Sequence, residues 1–431
     1  MLRGLPCDTA AMIVACRFVR VVALFALMVA SLVIAGCQQR PAWNGSLEEL
    51  LLSQPHRFAK IIADPTRHRV QIIYTQIDRD EDNRPQFRSF TYRSDADEYF
   101  YPASTVKLPV ALLALEKINR LDIPGLDRDA TMLSGADGYG QTIATEDLTA
   151  PDGLPSVAHY IRKVLLVSDN DAFNRLYEFV GQAEVNESLR AKGFEGLRIV
   201  HRLDLVLDPE SNRHTNPVRF VEGNNTVYEQ PGAYSPRTYA APETEMLGRA
   251  EVVDGQLLDR PKDFAEKNAF PLQELHDVLK ALLFPESVPE KLRFGLTAAD
   301  YRFVYREMSA YPGESGISEY EDSEAYPQAF VKYLMFDRND DVPENIRIFN
   351  KIGSAYGFLT DAAYIVDFDE GIEFILAATV YTNANETFND GNYEYEETGF
   401  PFLRNLGQAI YEVKLQRHRP NAPDLGRFVL H

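Results

Sequence analysis

The residue pattern predicts an α/β (α+β) chain, with one antiparallel sheet flanked by helices and an all-helical part inserted between the two halves of the sheet. Two β-branched and aromatic runs stand early, at 70–77 and 86–92. Three more stand late, at 345–353, 358–367 and 372–381. Between them the apolar spacing is helical. Both chain ends therefore complete one sheet.

Taken in order, the first helix opens on a capping box, Ser46 with Glu49. Leu47, Leu50, Leu51, Phe58, Ile61 and Ile62 give it an apolar face, interrupted near Pro55, that packs on the sheet. The polar stretch 78–85 turns the first two strands into a hairpin. A helix is then predicted from about Ser104, and Lys107 follows three residues later. Both side chains leave one face at the helix start. Val106, Leu108, Val110, Leu112, Leu113 and Leu115 make that helix apolar nearly all round, so it is buried. A lysine buried there loses hydration, which lowers its pKa toward that of a proton acceptor. Ser104 then becomes an activated nucleophile, with helix-end N–H groups placed to stabilise an oxyanion.

Further helices are predicted at 156–166 and 171–179, the second stopped by Gly181, with Ser168, Asp169 and Asn170 between them. Another runs over 184–192 to Gly193, and an irregular stretch covers 201–217. Gly, Pro, Asn and Tyr dominate from 218 to about 242, helices follow at 272–283 and 298–308, and the acidic run 314–324 is a solvated loop. Residues 400–415 form a closing helix. His159 and His276 decorate helices, and no histidine cluster has metal-ligand spacing, so neither a metal nor another cofactor is expected. The expected organisation is a sheet part at 46–103 and 345–415, a helical part at 104–217, an enlarged insertion at 218–344 and a tail at 416–431.

A formal net charge of −20 argues against a phosphate-binding surface, and no basic run reverses it. Nucleic acid is not an expected partner. Arg17 and Arg20 precede an apolar run at 21–34 that is short for a membrane span. It ends in Ala35-Gly36-Cys37, which resembles a bacterial lipoprotein signal in which Cys37 is lipidated and becomes the new N-terminus. On that reading 1–36 is a signal peptide and 37–45 a tether, and the only membrane contact is the lipid. Gln38 after the cysteine resembles the outer-membrane sorting pattern, facing the periplasm. Cleavage removes Cys7 and Cys16 and leaves no partner for an internal disulfide.

Ser104-x-x-Lys107, then Ser168-Asp169-Asn170, then Lys351-Ile352-Gly353 resembles the three-motif signature of serine β-lactamases and penicillin-binding proteins. The resemblance implies Ser104 as the acylated nucleophile and Lys107 as its proton acceptor or relay. Ser168 would pass a proton to the leaving nitrogen, Asn170 would bind the substrate amide, and Lys351 would supply positive charge across the cleft. Gly353 belongs to the third motif, and the backbone N–H groups of Ser104 and Ser354 would form the oxyanion hole. Asp169 would hold the loop. Arg202-Leu203-Asp204 and the residues up to Asp208 are similar to the class A loop whose glutamate activates the deacylating water, with Asp204 in the matching place. The other reading of Arg202 and Asp204 is that they hold a loop together.

The chain departs from that family in three ways. Asp204 is one methylene shorter than glutamate, Ile352 replaces the usual hydroxyl residue, and residues 358–380 contain no arginine or lysine for a substrate carboxylate. The expected function is a lipid-anchored class A β-lactamase-like serine hydrolase, acting through an acyl-enzyme on a β-lactam or related amide. Two alternatives stay open: a D-Ala-D-Ala peptidase or esterase acting on peptidoglycan-type peptides, and a non-catalytic envelope binding protein.

Overall fold

The computed structural model describes residues 45–139, 142–241 and 243–430, so Cys37 and the expected signal segment lie outside the described residues. The main sheet has five strands: β1 (Gln71–Arg79), β2 (Pro85–Tyr92), β3 (Ile346–Ala355), β4 (Phe358–Asp367) and β5 (Ile372–Tyr381). Their order is β3-β4-β5-β1-β2, and every neighbouring pair is antiparallel. The first and last segments of the domain thus meet at β1 and β5, where Gln71 pairs with Thr379. Strands β4 and β5 are buried along their whole length, which requires cover on both faces. Helix Leu272–Leu283 covers one face, with His276 Nε2 2.8 Å from Thr75 Oγ1. The terminal helices cover the other, tied together by the two hydrogen bonds from Arg57 to Glu412.

Ser46 and Glu49 form the expected capping box, and Pro55 starts a second short helix, Pro55–Ile62. The helical part comprises Lys107–Leu121, Val157–Leu166, Asn170–Val180 and Gln182–Lys192. Ser156 and Asp169 cap the second and third through their side chains, and Gly193, at φ 101°, ends the fourth.

Within the expected insertion, 218–344, Leu272–Leu283 roofs the sheet, and Ala298–Ser309 packs on both Val157–Leu166 and β3. The same stretch holds an unforeseen hairpin, Val218–Glu222 with Asn225–Gln230, joined to Thr131–Ser134 in a small antiparallel sheet. In the tail, 416–431, Phe428 is fully buried against Phe284, Phe349 and Tyr364. His159 and His276 do not decorate helices but are buried, each bonded to a threonine hydroxyl.

Candidate functional site

Ser104 lies in a 3-10 turn, Ala103–Val106, and the α-helix proper begins at Lys107, one turn later than expected. Tightening the first turn satisfies orphan N–H groups that have no side-chain cap here. Ala103, next to Ser104, takes φ 46°, a strained value for a residue with a Cβ. The turn is pressed against β3. A Cβ on Gly353 would collide with Pro102 O and stand 3.2 Å from Ser104 N, so only glycine lets the two chains approach this closely.

Lys107 is fully buried. Its ammonium donates to Ser168 O, to Asn170 Oδ1 at 2.6 Å and to Ser168 Oγ at 3.3 Å. Burial lowers its pKa to about 7, and the charges of Asp169 and Asp204 only partly oppose that shift. From the opposite wall Lys351 Nζ donates to the same Ser168 Oγ at 2.8 Å. Burial again dominates, and with the charge of Lys107 it drives Lys351 well below an ordinary lysine. Ser168 itself holds φ 60° and so presents its hydroxyl between the two lysines. Asp169 Oδ1 accepts from Ala172 N at 2.7 Å and caps the next helix.

Thus the structure brings Lys107, Ser168, Asn170 and Lys351 into one hydrogen-bonded group and sets Ser104 and Gly353 side by side. Ser354 continues that strand. Tyr395 stands beside it, its Oη accepting from Gly357 N at 2.7 Å. Tyr395 was not foreseen, because its link to the β3–β4 turn spans 38 residues of sequence.

Asp204 is exposed and takes φ 58°. It is the loop beneath it that is buried. Arg202 Nε donates to Glu178 Oε1 at 2.9 Å, and its other arm donates to His214 O at 2.6 Å. Asn216 Nδ2 donates to the second oxygen of Glu178 at 2.9 Å. Asn174 grips Leu203 through both its N–H and its C=O, each at 2.9 Å. Asp208 does not face the site; its carboxylate accepts from Ser211 N and Ser211 Oγ, which holds it below the usual carboxylate range. Asn174 and Glu178 were missed, although polar residues one turn apart among the mostly apolar residues of this helix were a visible signal.

A nucleophile, an amine that is a free base near neutrality, a hydroxyl shared by two lysines and adjacent backbone N–H groups are the components of acyl transfer. Built on this fold, they define a serine hydrolase. The model of the beta-lactamase enzyme family matches residues 57–270, which include the first two motifs and the Arg202 loop. No curated protein matches the chain. Among solved structures, a beta lactamase from Burkholderia vietnamiensis is 16% identical, covering 86% of this chain and 98% of its own, at a TM-score of 0.45. PBP-A is 13% identical over 85% of this chain and 96% of its own, at 0.48. A beta-lactamase from Sphaerobacter thermophilus is 14% identical over 85% and 97%, at 0.47. With its three motifs and a family match over residues 57–270, the chain is similar to the serine β-lactamases and penicillin-binding proteins.

Proposed function

We propose that this protein is a class A β-lactamase-like hydrolase that forms an acyl-enzyme at Ser104 with a β-lactam or a related amide. The observation that carries the reading is the Lys107–Ser168–Lys351 group, with Lys107 buried and near neutrality. Free Lys107 takes the Ser104 proton as Oγ attacks the carbonyl. The N–H groups of Ser104 and Ser354 receive the oxyanion. Ser168, its hydroxyl fed by both lysines, returns a proton to the departing nitrogen. Asn170 and Lys351 orient the substrate, and Asp204 activates the deacylating water.

The test is intact mass after brief and long exposure to a penicillin and a cephalosporin. A Ser104-dependent adduct that decays supports the reading; labelling that survives Ser104→Ala refutes it.

A peptidase or esterase is favoured by one specific observation. Ile352 is 5% exposed and carries no hydroxyl, and residues 358–380 contain no arginine or lysine, so these two strands offer a β-lactam carboxylate neither a hydroxyl nor a cation. Turnover of a D-Ala-D-Ala peptide without β-lactam hydrolysis would select it. We propose also that Cys37 carries a lipid that holds the domain on the outer membrane, facing the periplasm. Cys37→Ser should move the protein from the membrane fraction to the soluble one.

A further inference from the structure

Behind the strand that carries Lys351 lies a buried ionic cluster which the proposed reaction does not use. Lys332 comes from the segment between helix Ala298–Ser309 and β3, and it is 1% exposed. Its ammonium donates to Met308 O at 2.8 Å, Ile348 O at 3.0 Å and Asn350 Oδ1 at 2.8 Å. Asn350 Nδ2 donates onward to Asp361 Oδ1 and to Val331 O, each at 2.8 Å. The remaining oxygen of Asp361 accepts from the N–H groups of Tyr333 and Leu334 at 3.1 and 3.2 Å. Asn350 and Lys351 are consecutive on β3, so their side chains leave opposite faces. One enters this cluster and the other reaches Ser168.

We propose that Lys332, Asn350 and Asp361 are positioning residues for Lys351, fixing the edge strand in place and setting the field in which Lys351 gains and loses its proton. The inference rests on Lys351 belonging to the reactive site. Net stability is a poor explanation of the cluster, because desolvation of buried ions largely offsets their attraction. An apolar patch would cover the strand as well. What the cluster supplies is charge at short range in a region of low dielectric. Two charges act on Lys351 from behind: Lys332 disfavours its proton and Asp361 favours it. Lys107 opposes the proton from the cleft side, and Lys107 in turn faces Asp169 and Asp204. Arg347 and Glu314 flank Lys332 from outside. Burial brings Lys332 down to about 7 and Asp361 up to about 6, so both charges respond near neutral pH.

The two ends of the cluster therefore push Lys351 in opposite directions, which a purely structural prop would not do. Loosening the strand would let water reach Lys351 and raise its titration midpoint whichever residue was changed. The test is an NMR titration of the lysine ε-carbons in the purified protein, with Lys351 assigned by Lys351→Arg. Lys332→Gln should move the Lys351 midpoint up, and Asp361→Asn should move it down, each by about half a pH unit or more. Shifts of the same sign, or no shift, overturn the proposal. If either variant fails to fold, Lys332→Arg takes its place; it keeps a positive charge behind Lys351 at every pH and should move Lys351 down, and an unmoved or raised midpoint refutes the idea. Acylation by a penicillin is scored on the same samples. A wild-type protein that never forms an adduct defeats the proposed function, while the titration still decides the role of the cluster.

Discussion

Lys107 and Asp204 both bear on the same cleft, yet one is fully buried within a hydrogen-bonded group and the other stands in solvent at the end of a loop. The groups assigned to acylation are dry, tightly partnered and fixed by two helices and a strand. The group assigned to deacylation is held only through its neighbours: Arg202 on Glu178, and Leu203 on Asn174. Beyond it Leu205 and Val206 are exposed, and a cavity of about 180 Å3 lined by His201, Leu205 and Leu207 lies against the loop. Preorganisation costs nothing at the moment of reaction, whereas an exposed base without a partner of its own must first be placed. Formation of the acyl-enzyme should therefore be the more robust half of the cycle.

The largest effect should come from the dry side. Lys107→Met removes the proposed proton acceptor and should lower the rate of adduct formation by about a hundredfold to ten-thousandfold, read by mass spectrometry. In the wild type the same rate should rise with pH through about 7, because only neutral Lys107 accepts the Ser104 proton. Stability should follow the same group. Its folded pKa lies below the unfolded value, so between about 7 and 10.5 the unfolded chain binds more protons, and the protein gains stability as pH rises across that window. Lys107→Met should flatten this rise in a thermal-unfolding series, and a wild-type curve already flat there would contradict the burial argument.

Next comes the scaffold of the wet side. Arg202→Ala leaves the buried Glu178 with only Arg175, 3.8 Å away, as a charged partner, at a cost of up to roughly 3–5 kcal/mol. Chemical denaturation should show that loss. In the surviving folded fraction, adducts should persist because Asp204 is no longer held. Asp204→Asn should isolate the second effect, lengthening the adduct lifetime about tenfold to a hundredfold while leaving its formation rate and the folding stability nearly unchanged. Equal lifetimes in Asp204→Asn and wild type would mean that another group, or none, activates the water.

These two sides also differed in how far they could be read from the residues. Ser104 with Lys107, and the Ser168-Asp169-Asn170 junction, are local in sequence, and their helices follow from apolar spacing and from caps at Ser156, Gly181 and Gly193. Strands β4 and β5 were found residue for residue, since nothing but continuous apolar runs fits their burial. Glu178, Asn174, Tyr395 and Lys332 were not found, because each acts on a partner 18 or more residues away and looks, in sequence, like any polar residue on a helix or loop. The hairpin at 218–230 was hidden for another reason. Its strands are short and half exposed, so its pattern is swamped by the Gly, Pro and Asn around it. The docking of 416–431 rests on one aromatic, Phe428, whose pocket is assembled from three distant elements.

The smallest expected effect concerns the floor between the two sides. Ile352 is 5% exposed, so its side chain is spent on packing and offers the cleft no hydroxyl. Ile352→Thr would supply one next to Lys351 while keeping β-branching, so the strand should tolerate it with a stability loss of about 1 kcal/mol, chiefly from lost apolar burial. One added hydrogen bond to a carboxylate is worth roughly 1.5–3 kcal/mol at best, and less where the hydroxyl must give up water or another partner to make it. Acylation by a penicillin should therefore improve by no more than about tenfold, through a lower KM and not a higher kcat, since the hydroxyl binds substrate and transition state alike. A larger gain would mean that the missing hydroxyl alone limits β-lactam recognition. No gain at all, with the D-Ala-D-Ala peptide still turned over, would mean that this strand takes no part in recognising a β-lactam carboxylate, and that the peptidase reading is the one to pursue.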